Sequence, residues 1–121
     1  MDARLREGVR LFNEQRYFES HEIWEELYRE TEERHKPFLE ALVQLAAALR
    51  LFVDFGEVPG TVRMIRQALI RLENYQPSYL AIKVKDLSVS LERWAHDVES
   101  AGSGGAGPIP RIKLRRFPPF R

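Results

Sequence analysis

The chain has 121 residues and no cysteine, which suits a single domain and excludes both a disulfide framework and thiolate catalysis. Its formal net charge is +1, but the charges are unevenly distributed along the chain. Residues 101–121 contain five of the 19 basic side chains and none of the 18 acidic ones, so residues 1–100 carry 14 basic and 18 acidic groups, a net charge of −4.

The first two predicted helices are expected to pair. Leu5, Val9 and Phe12 recur at i, i+4 and i+7, a spacing that places them on one face of a helix over about residues 4–15. A second amphipathic stretch follows, from about residue 17 to an end between about residues 30 and 33. Only a short corner separates the two stretches, so the spacing predicts an N-terminal αα-hairpin.

The middle of the chain is its most apolar part. Pro37 suits the first turn of a helix that runs to about Asp54, and this helix is apolar on nearly every side, as expected of a helix surrounded by others. Further helices are predicted over about residues 61–74 and 85–100, separated by turns rich in Gly and Pro. The sequence therefore predicts an all-α bundle of five or six helices around a central apolar helix, within residues 1–100.

Residues 101–121 are expected to lie outside this bundle domain. The segment AGSGGAG has the composition of a flexible linker, and PIPRIKLRRFPPFR is predicted to be an extended, basic C-terminal tail. One interpretation is that the tail binds nucleic acid or an anionic surface. The side chains that would do so are Arg111, Lys113, Arg115, Arg116, Arg121, Phe117 and Phe120.

The other interpretation is that the tail docks on the bundle. Ile109, Ile112 and Leu114 would then pack on the helices, and the cations of the tail would meet acids of the second helix, in the same chain or in a partner chain. Those acids are Glu19, Glu22, Glu26 and Glu30. The acidic body of the chain, and a sequence without a base-reading module, favour docking.

The second helix carries His21 and Glu25 inside its predicted apolar sector. On a helical wheel the two lie between Tyr28 and Phe18, and their separation of four residues makes them neighbours on one face. A buried carboxylate needs a partner or a proton, and His21 can supply a hydrogen bond or an ion pair. We therefore predict that this pair points inward and is shielded from water.

Two polar residues of the central helix are predicted to complete a pocket. Glu40 and Gln44, also four residues apart, stand among alanine and leucine. They are expected to meet His21 and Glu25 between the second and third helices, with Trp24 and the tyrosines as walls. A small polar pocket inside an apolar bundle is a default ligand site.

Four functions are open for this pocket. A hydrogen-bonded network that fixes helix register needs no ligand. His21-Glu22-x-x-Glu25 is similar to the His-Glu-x-x-His pattern of zinc proteases, so a metal-dependent hydrolase that uses His21, Glu25 and Glu22 is an alternative. Metal-free acid–base catalysis by His21, oriented by Glu25, is a third hypothesis, and ligand binding without chemistry is the fourth.

A longer motif in the same region resembles a known family. Its residues are Leu11-Phe12-Asn13-x-x-x-Tyr17-Phe18-Glu19-x-His21-Glu22-x-Trp24-Glu25, followed by Phe38-Leu39, Gln44-Leu45-Ala46 and Gly60. The motif is similar to the signature of the small helical family catalogued as domain of unknown function 309. The resemblance implies a compact multihelical bundle and no established activity, cofactor or substrate. The family-typical residues that it implies are Asn13, Tyr17, His21, Glu22, Trp24, Glu25 and Gln44.

These observations lead to one primary expectation and two alternatives. The primary one is a cytoplasmic binding or structural module that self-associates through leftover apolar surface and needs no cofactor. A divalent metal at His21 and Glu25, and nucleic-acid binding through the tail, are the alternatives. Neither a signal peptide nor a membrane span is expected, because the N-terminus is charged and the longest apolar run is short and broken by Arg50.

Overall fold

Five α-helices make up most of the structure, a computed structural model that describes residues 1–116. The helices are α1 Ala3–Asn13, α2 Tyr17–Glu30, α3 Lys36–Phe55, α4 Val58–Leu72 and α5 Val84–Ala101. Short 3-10 turns follow α2, α4 and α5, and the described residues contain no strand. The predicted all-α bundle is confirmed. Within the same range, none of the helices combines the length and the apolar character that crossing a membrane requires.

The central helix is α3, as predicted. It packs against both α2 and α4, and its Leu42, Leu45 and Leu49 are completely buried. Most residues of α3 up to Leu49 are buried or half-buried, whereas Val53 and Phe55 near its end are exposed. Gly56 has a φ of 65°, a left-handed conformation that glycine adopts without strain and that ends the helix.

The fourth helix begins one turn earlier than the sequence predicts. A start near Thr61 treats Pro59 and Gly60 as helix breakers, but α4 begins at Val58. Pro59 lies in the first turn, where the N–H that proline lacks would have no helical partner. The Glu57 carboxylate caps the helix by accepting a hydrogen bond from the Gly60 backbone N–H at 2.9 Å.

The predicted αα-hairpin is present, and its two helices approach closely at Gly8. The Trp24 indole is completely buried and occupies the space in which a β-carbon of residue 8 would stand. Its Nε1 donates to the Leu5 carbonyl at 3.3 Å, and Ser20 Oγ donates to the Gly8 carbonyl at 2.9 Å. Both bonds join α2 side chains to the α1 backbone, so they fix the rotation of α2 about its own axis.

Replacement of Gly8 by alanine is expected to destabilise the domain, because the added methyl group would overlap the Trp24 indole. Overpacking of this kind costs about 1–3 kcal/mol of unfolding free energy. The indole is fully enclosed, so we expect the cost to exceed the roughly 1 kcal/mol that alanine gains over glycine in a helix. Urea denaturation measures the loss. Gly104→Ala is the control, because a β-carbon there meets no atom within 4 Å, and equal stability of the two variants would contradict this role of Gly8.

The C-terminal tail docks on the bundle, in agreement with the second of the two interpretations. The Lys83 N–H donates to the Lys113 carbonyl at 2.9 Å, and the Arg115 N–H donates to the Ala81 carbonyl at 2.7 Å. These bonds flank an antiparallel β-bridge. Ile112, next to the bridge, is only 3% exposed, so the tail contributes an apolar side chain to the core.

Within residues 1–116, the predicted ion pairs of the tail with Glu26 and Glu30 of the same chain are not formed, and pairing with a partner chain stays a prediction. Glu26 and Glu30 of α2 bond instead to Arg4 of α1, at 3.5 and 3.1 Å. The tail contacts the end of α1 and the segment 81–83, where backbone bonds and the burial of Ile112 hold it.

Asn13, the last residue of α1, holds the tail through two hydrogen bonds. Its Nδ2 donates to the Ile112 carbonyl at 2.9 Å, and its Oδ1 accepts from the Ile112 N–H at 2.7 Å. An amide side chain carries both a donor and an acceptor, so Asn13 replaces the backbone of a neighbouring strand. The predicted contacts of Phe117 and Phe120 lie outside the described residues.

Asn13→Ala is expected to loosen the tail. Each partly buried hydrogen bond contributes about 0.5–1.5 kcal/mol net, so the unfolding free energy should fall by about 1–3 kcal/mol. Limited trypsin digestion should also cut after Arg111 faster than in the wild type. Asn74→Ala, at an exposed position after α4, is the matched control. An unchanged rate of cleavage after Arg111 would show that Asn13 does not hold the tail.

Candidate functional site

His21, Glu22 and Glu25 lie together at the surface of α2. The exposed fractions of their side chains are 26%, 57% and 43%, respectively. The prediction that His21 and Glu25 are shielded from water is therefore wrong. His21 lies at the edge of the interface with α3, where it shares a surface cavity with Ala47 and Leu51.

The buried face of α2 is rotated relative to the face predicted from the sequence. Its members are Tyr17, Ser20, Trp24 and Leu27. The helical wheel counts Phe18 as apolar, but Phe18 is 48% exposed, whereas the polar Ser20 is fully buried because it bonds to the Gly8 carbonyl. A wheel ranks side chains by polarity, so it misses a polar residue that is buried through a bond to another helix.

Glu40 and Gln44 face α4, and their predicted meeting with His21 and Glu25 is wrong. The Glu40 carboxylate lies 3.2 Å from the Arg71 guanidinium, and Gln44 Nε2 donates to Gln67 Oε1 at 3.0 Å. Because α3 is apolar on nearly every side, its sequence does not indicate which neighbouring helix its few polar residues contact.

One turn of α2 nevertheless brings three potential metal ligands together. One donor atom each from His21, Glu22 and Glu25 can be chosen so that all lie within 4.8 Å of one another. His21 Nδ1 is 3.5 Å from a carboxylate oxygen of Glu22, and the Glu25 carboxylate is 3.5 Å from the Arg29 guanidinium. Of the predicted site residues, these three therefore form the candidate site.

A surface cavity of about 240 Å³ adjoins this cluster. Its walls are formed by Phe18, His21, Glu22, Ala47, Arg50, Leu51 and Phe55. The Arg50 guanidinium lies 4.6 Å from the centre of the Phe18 ring, and its Nε donates to the Asp54 carboxylate at 3.2 Å. In the sequence Arg50 is only a break in an apolar run, and its position beside His21 follows from the packing of α2 on α3.

Three other predicted site residues have packing roles. Asn13 holds the tail and Trp24 fixes the hairpin, while Tyr17 packs edge-to-face on Phe12 with ring centres 5.1 Å apart. None of the three is among the described residues that line the cavity beside His21.

Sequence reasoning missed the contact between His35 and Tyr79. The His35 side chain is only 16% exposed, and its Nδ1 lies 2.6 Å from the Tyr79 hydroxyl. The Phe38 ring packs against Tyr79 with ring centres 4.8 Å apart. His35 and Tyr79 are 44 residues apart, so no local spacing signals their contact.

Residues 5–64 match a family model described as "Domain of unknown function (DUF309)". The chain belongs to this family. The resemblance found in the sequence motif is thereby confirmed. No curated protein and no solved structure matches the chain.

The family match spans the hairpin, α3 and the first part of α4, and it includes the whole His21, Glu22 and Glu25 cluster. The helix α5 and the docked tail lie outside the matched region. Self-association, a cytoplasmic location and the division of the chain at residue 100 stay predictions.

The pH dependence of stability should report on the burial of Tyr17. Burial raises the pKa of its hydroxyl above the ordinary value of 10.0, so the folded state holds this proton more tightly than the unfolded state. The resulting contribution to stability is fully present below about pH 10 and is lost as the pH rises further. Tyr17→Phe removes the titrating group. In urea denaturation between about pH 8 and pH 11, the unfolding free energy of the wild type should fall more steeply than that of the variant, and parallel curves would contradict this.

Proposed function

We propose that this domain binds a divalent metal ion on α2, with His21, Glu22 and Glu25 as its protein ligands. The observation that carries the proposal is the closeness of their donor atoms, which lie within 4.8 Å of one another. Atoms that share an ion in this way lie about 3–4 Å apart, because each is about 2.0–2.2 Å from the metal. Small rotations of the Glu22 and Glu25 side chains would bring the three donor atoms to this separation.

The donor types favour a transition metal or zinc. Imidazole nitrogen suits Zn²⁺ and Fe²⁺, and carboxylate oxygen suits Mn²⁺ as well. The two carboxylates together balance the charge of a divalent ion. Three protein ligands leave a coordination position for water or substrate, as in zinc sites that are open to solvent.

The backbone under the cluster is held firmly by α1. Ser20 directly precedes His21 in the sequence, and Trp24 directly precedes Glu25. Both side chains bond to the α1 backbone. A rigid support favours binding because the ligands are already close to their final positions. Ordering the exposed side chains of Glu22 and Glu25 costs conformational entropy, so we expect weaker binding than at an enclosed site.

The cavity supports a more specific version of the proposal, a metal-dependent hydrolase. His21 and Glu22 share this cavity with Arg50, whose guanidinium would attract a carboxylate or phosphate group of a substrate. An ion held by the cluster would lower the pKa of a bound water molecule. Both versions require the ion, so metal binding is the property to test.

Metal binding is measured on protein purified without a histidine tag, stripped with a chelator, and titrated with Zn²⁺ and Mn²⁺ by isothermal calorimetry. We expect the wild type to bind a single ion with reproducible affinity. His21→Ala and Glu25→Gln should each weaken binding at least about tenfold. Circular dichroism shows whether the variants keep the helical fold, which we expect because both side chains are partly exposed.

Two control variants separate the cluster from other surface residues of the same type. His96→Ala removes an exposed histidine of α5, and Glu33→Gln removes a carboxylate whose side chain is 87% exposed. Both should bind metal as the wild type does. The proposal would be overturned by a wild type that binds neither ion, or by folded His21→Ala and Glu25→Gln variants with unchanged affinity.

A further inference from the structure

The docked part of the tail presents its cations to solvent in a regular row. Ile112 is 3% exposed and Leu114 is half-buried, whereas Arg111, Lys113 and Arg115 are exposed. This alternation is that of an extended segment, in which successive side chains point to opposite faces. Outward side chains two residues apart are therefore separated by about 6.6 Å.

Two further cations lie beside this row. Lys83 is joined to Lys113 through the backbone, and Arg6 of α1 lines the same surface cavity as Arg111. We call Arg6, Lys83, Arg111 and Lys113 the basic edge. None of them forms an ion pair within residues 1–116.

Two acids near the basic edge, Glu7 and Glu14, already have partners. Glu14 lines the same cavity as Arg6 and Arg111, but its carboxylate bonds to Arg10, as does that of Glu7. These two acids therefore do not neutralise the charges of Arg6 and Arg111.

The backbone of the row is fixed on two sides. Asn13 holds Ile112, and the segment 81–83 bonds to Lys113 and Arg115. Binding by a fixed row costs less conformational entropy than binding by a flexible tail, because the spacing of the charges is set in advance.

We propose that the basic edge binds the phosphate backbone of a nucleic acid strand without selecting its sequence. An even row of cations is complementary to a polymer with evenly spaced phosphates. The edge contains no aromatic side chain for base stacking. No large apolar side chain of residues 108–116 is exposed for insertion into a membrane. Phosphate contacts alone give affinity without sequence preference.

The test measures fluorescence anisotropy of a labelled single-stranded RNA of mixed sequence, titrated with the full chain in the presence of EDTA. We expect the double variant R111A/K113A to bind at least about tenfold more weakly than the wild type at low salt. Each phosphate contact to a single strand contributes about 0.7 to the slope of log K against log salt concentration. Loss of two contacts should therefore reduce this slope by about 1.4.

The matched control is R63A/R93A, which removes the same charge from two exposed arginines of α4 and α5 that have no ion pair within residues 1–116. It should bind RNA nearly as well as the wild type. Equal losses in the two double variants would overturn the proposal, as would a wild type that does not bind RNA at low salt.

Two further measurements test the partner and the fixed row. Vesicles of phosphatidylserine and phosphatidylcholine should bind the chain more weakly than RNA does, and the opposite order would overturn the choice of nucleic acid. Asn13→Ala keeps every charge but loosens the docked segment, so it should also weaken RNA binding, and unchanged affinity would overturn the requirement for a fixed row. Because EDTA is present throughout, the outcome is independent of metal binding at His21.

Discussion

Where α1 crosses α2, the Trp24 indole lies in the space that a β-carbon of residue 8 would fill. The resulting close contact allows Ser20 and Trp24 to bond to the α1 backbone, and these bonds fix the rotation of α2. His21 is thereby placed at the edge of the α3 interface and Glu25 at the surface. The candidate metal site lies at the surface because the contact between α1 and α2 buries Ser20 and Trp24 rather than His21 and Glu25.

The same hairpin positions the second candidate surface. Once α1 lies against α2, its last residue, Asn13, faces the tail and bonds to both backbone groups of Ile112. The family match ends well before Ile112, so a residue inside the matched region organises a segment outside it. The two surfaces therefore share one structural origin although their proposed ligands are an ion and a polyanion.

The uneven charge distribution of the chain is preserved in the folded structure. The tail docks on α1 and the segment 81–83, and within residues 1–116 neither Arg111 nor Lys113 pairs with an acid of α2. Glu22 and Glu25 lie at the surface of α2 in the cluster with His21, while Arg111 and Lys113 are exposed on the docked tail. Separate acidic and basic surfaces follow from the docking of the tail through backbone bonds and apolar burial.

By itself the sequence determined the helices, because apolar periodicity reports which elements have a buried face, and it determined that His21 and Glu25 are neighbours, because helical spacing is local. The tertiary structure alone decided which way these side chains point, through the buried bond of Ser20 to another helix. It also decided that Arg50 lies beside His21 and that Asn13 bonds to a residue 99 positions away. Contacts between elements depend on how helices are rotated and packed, and no local spacing encodes that rotation.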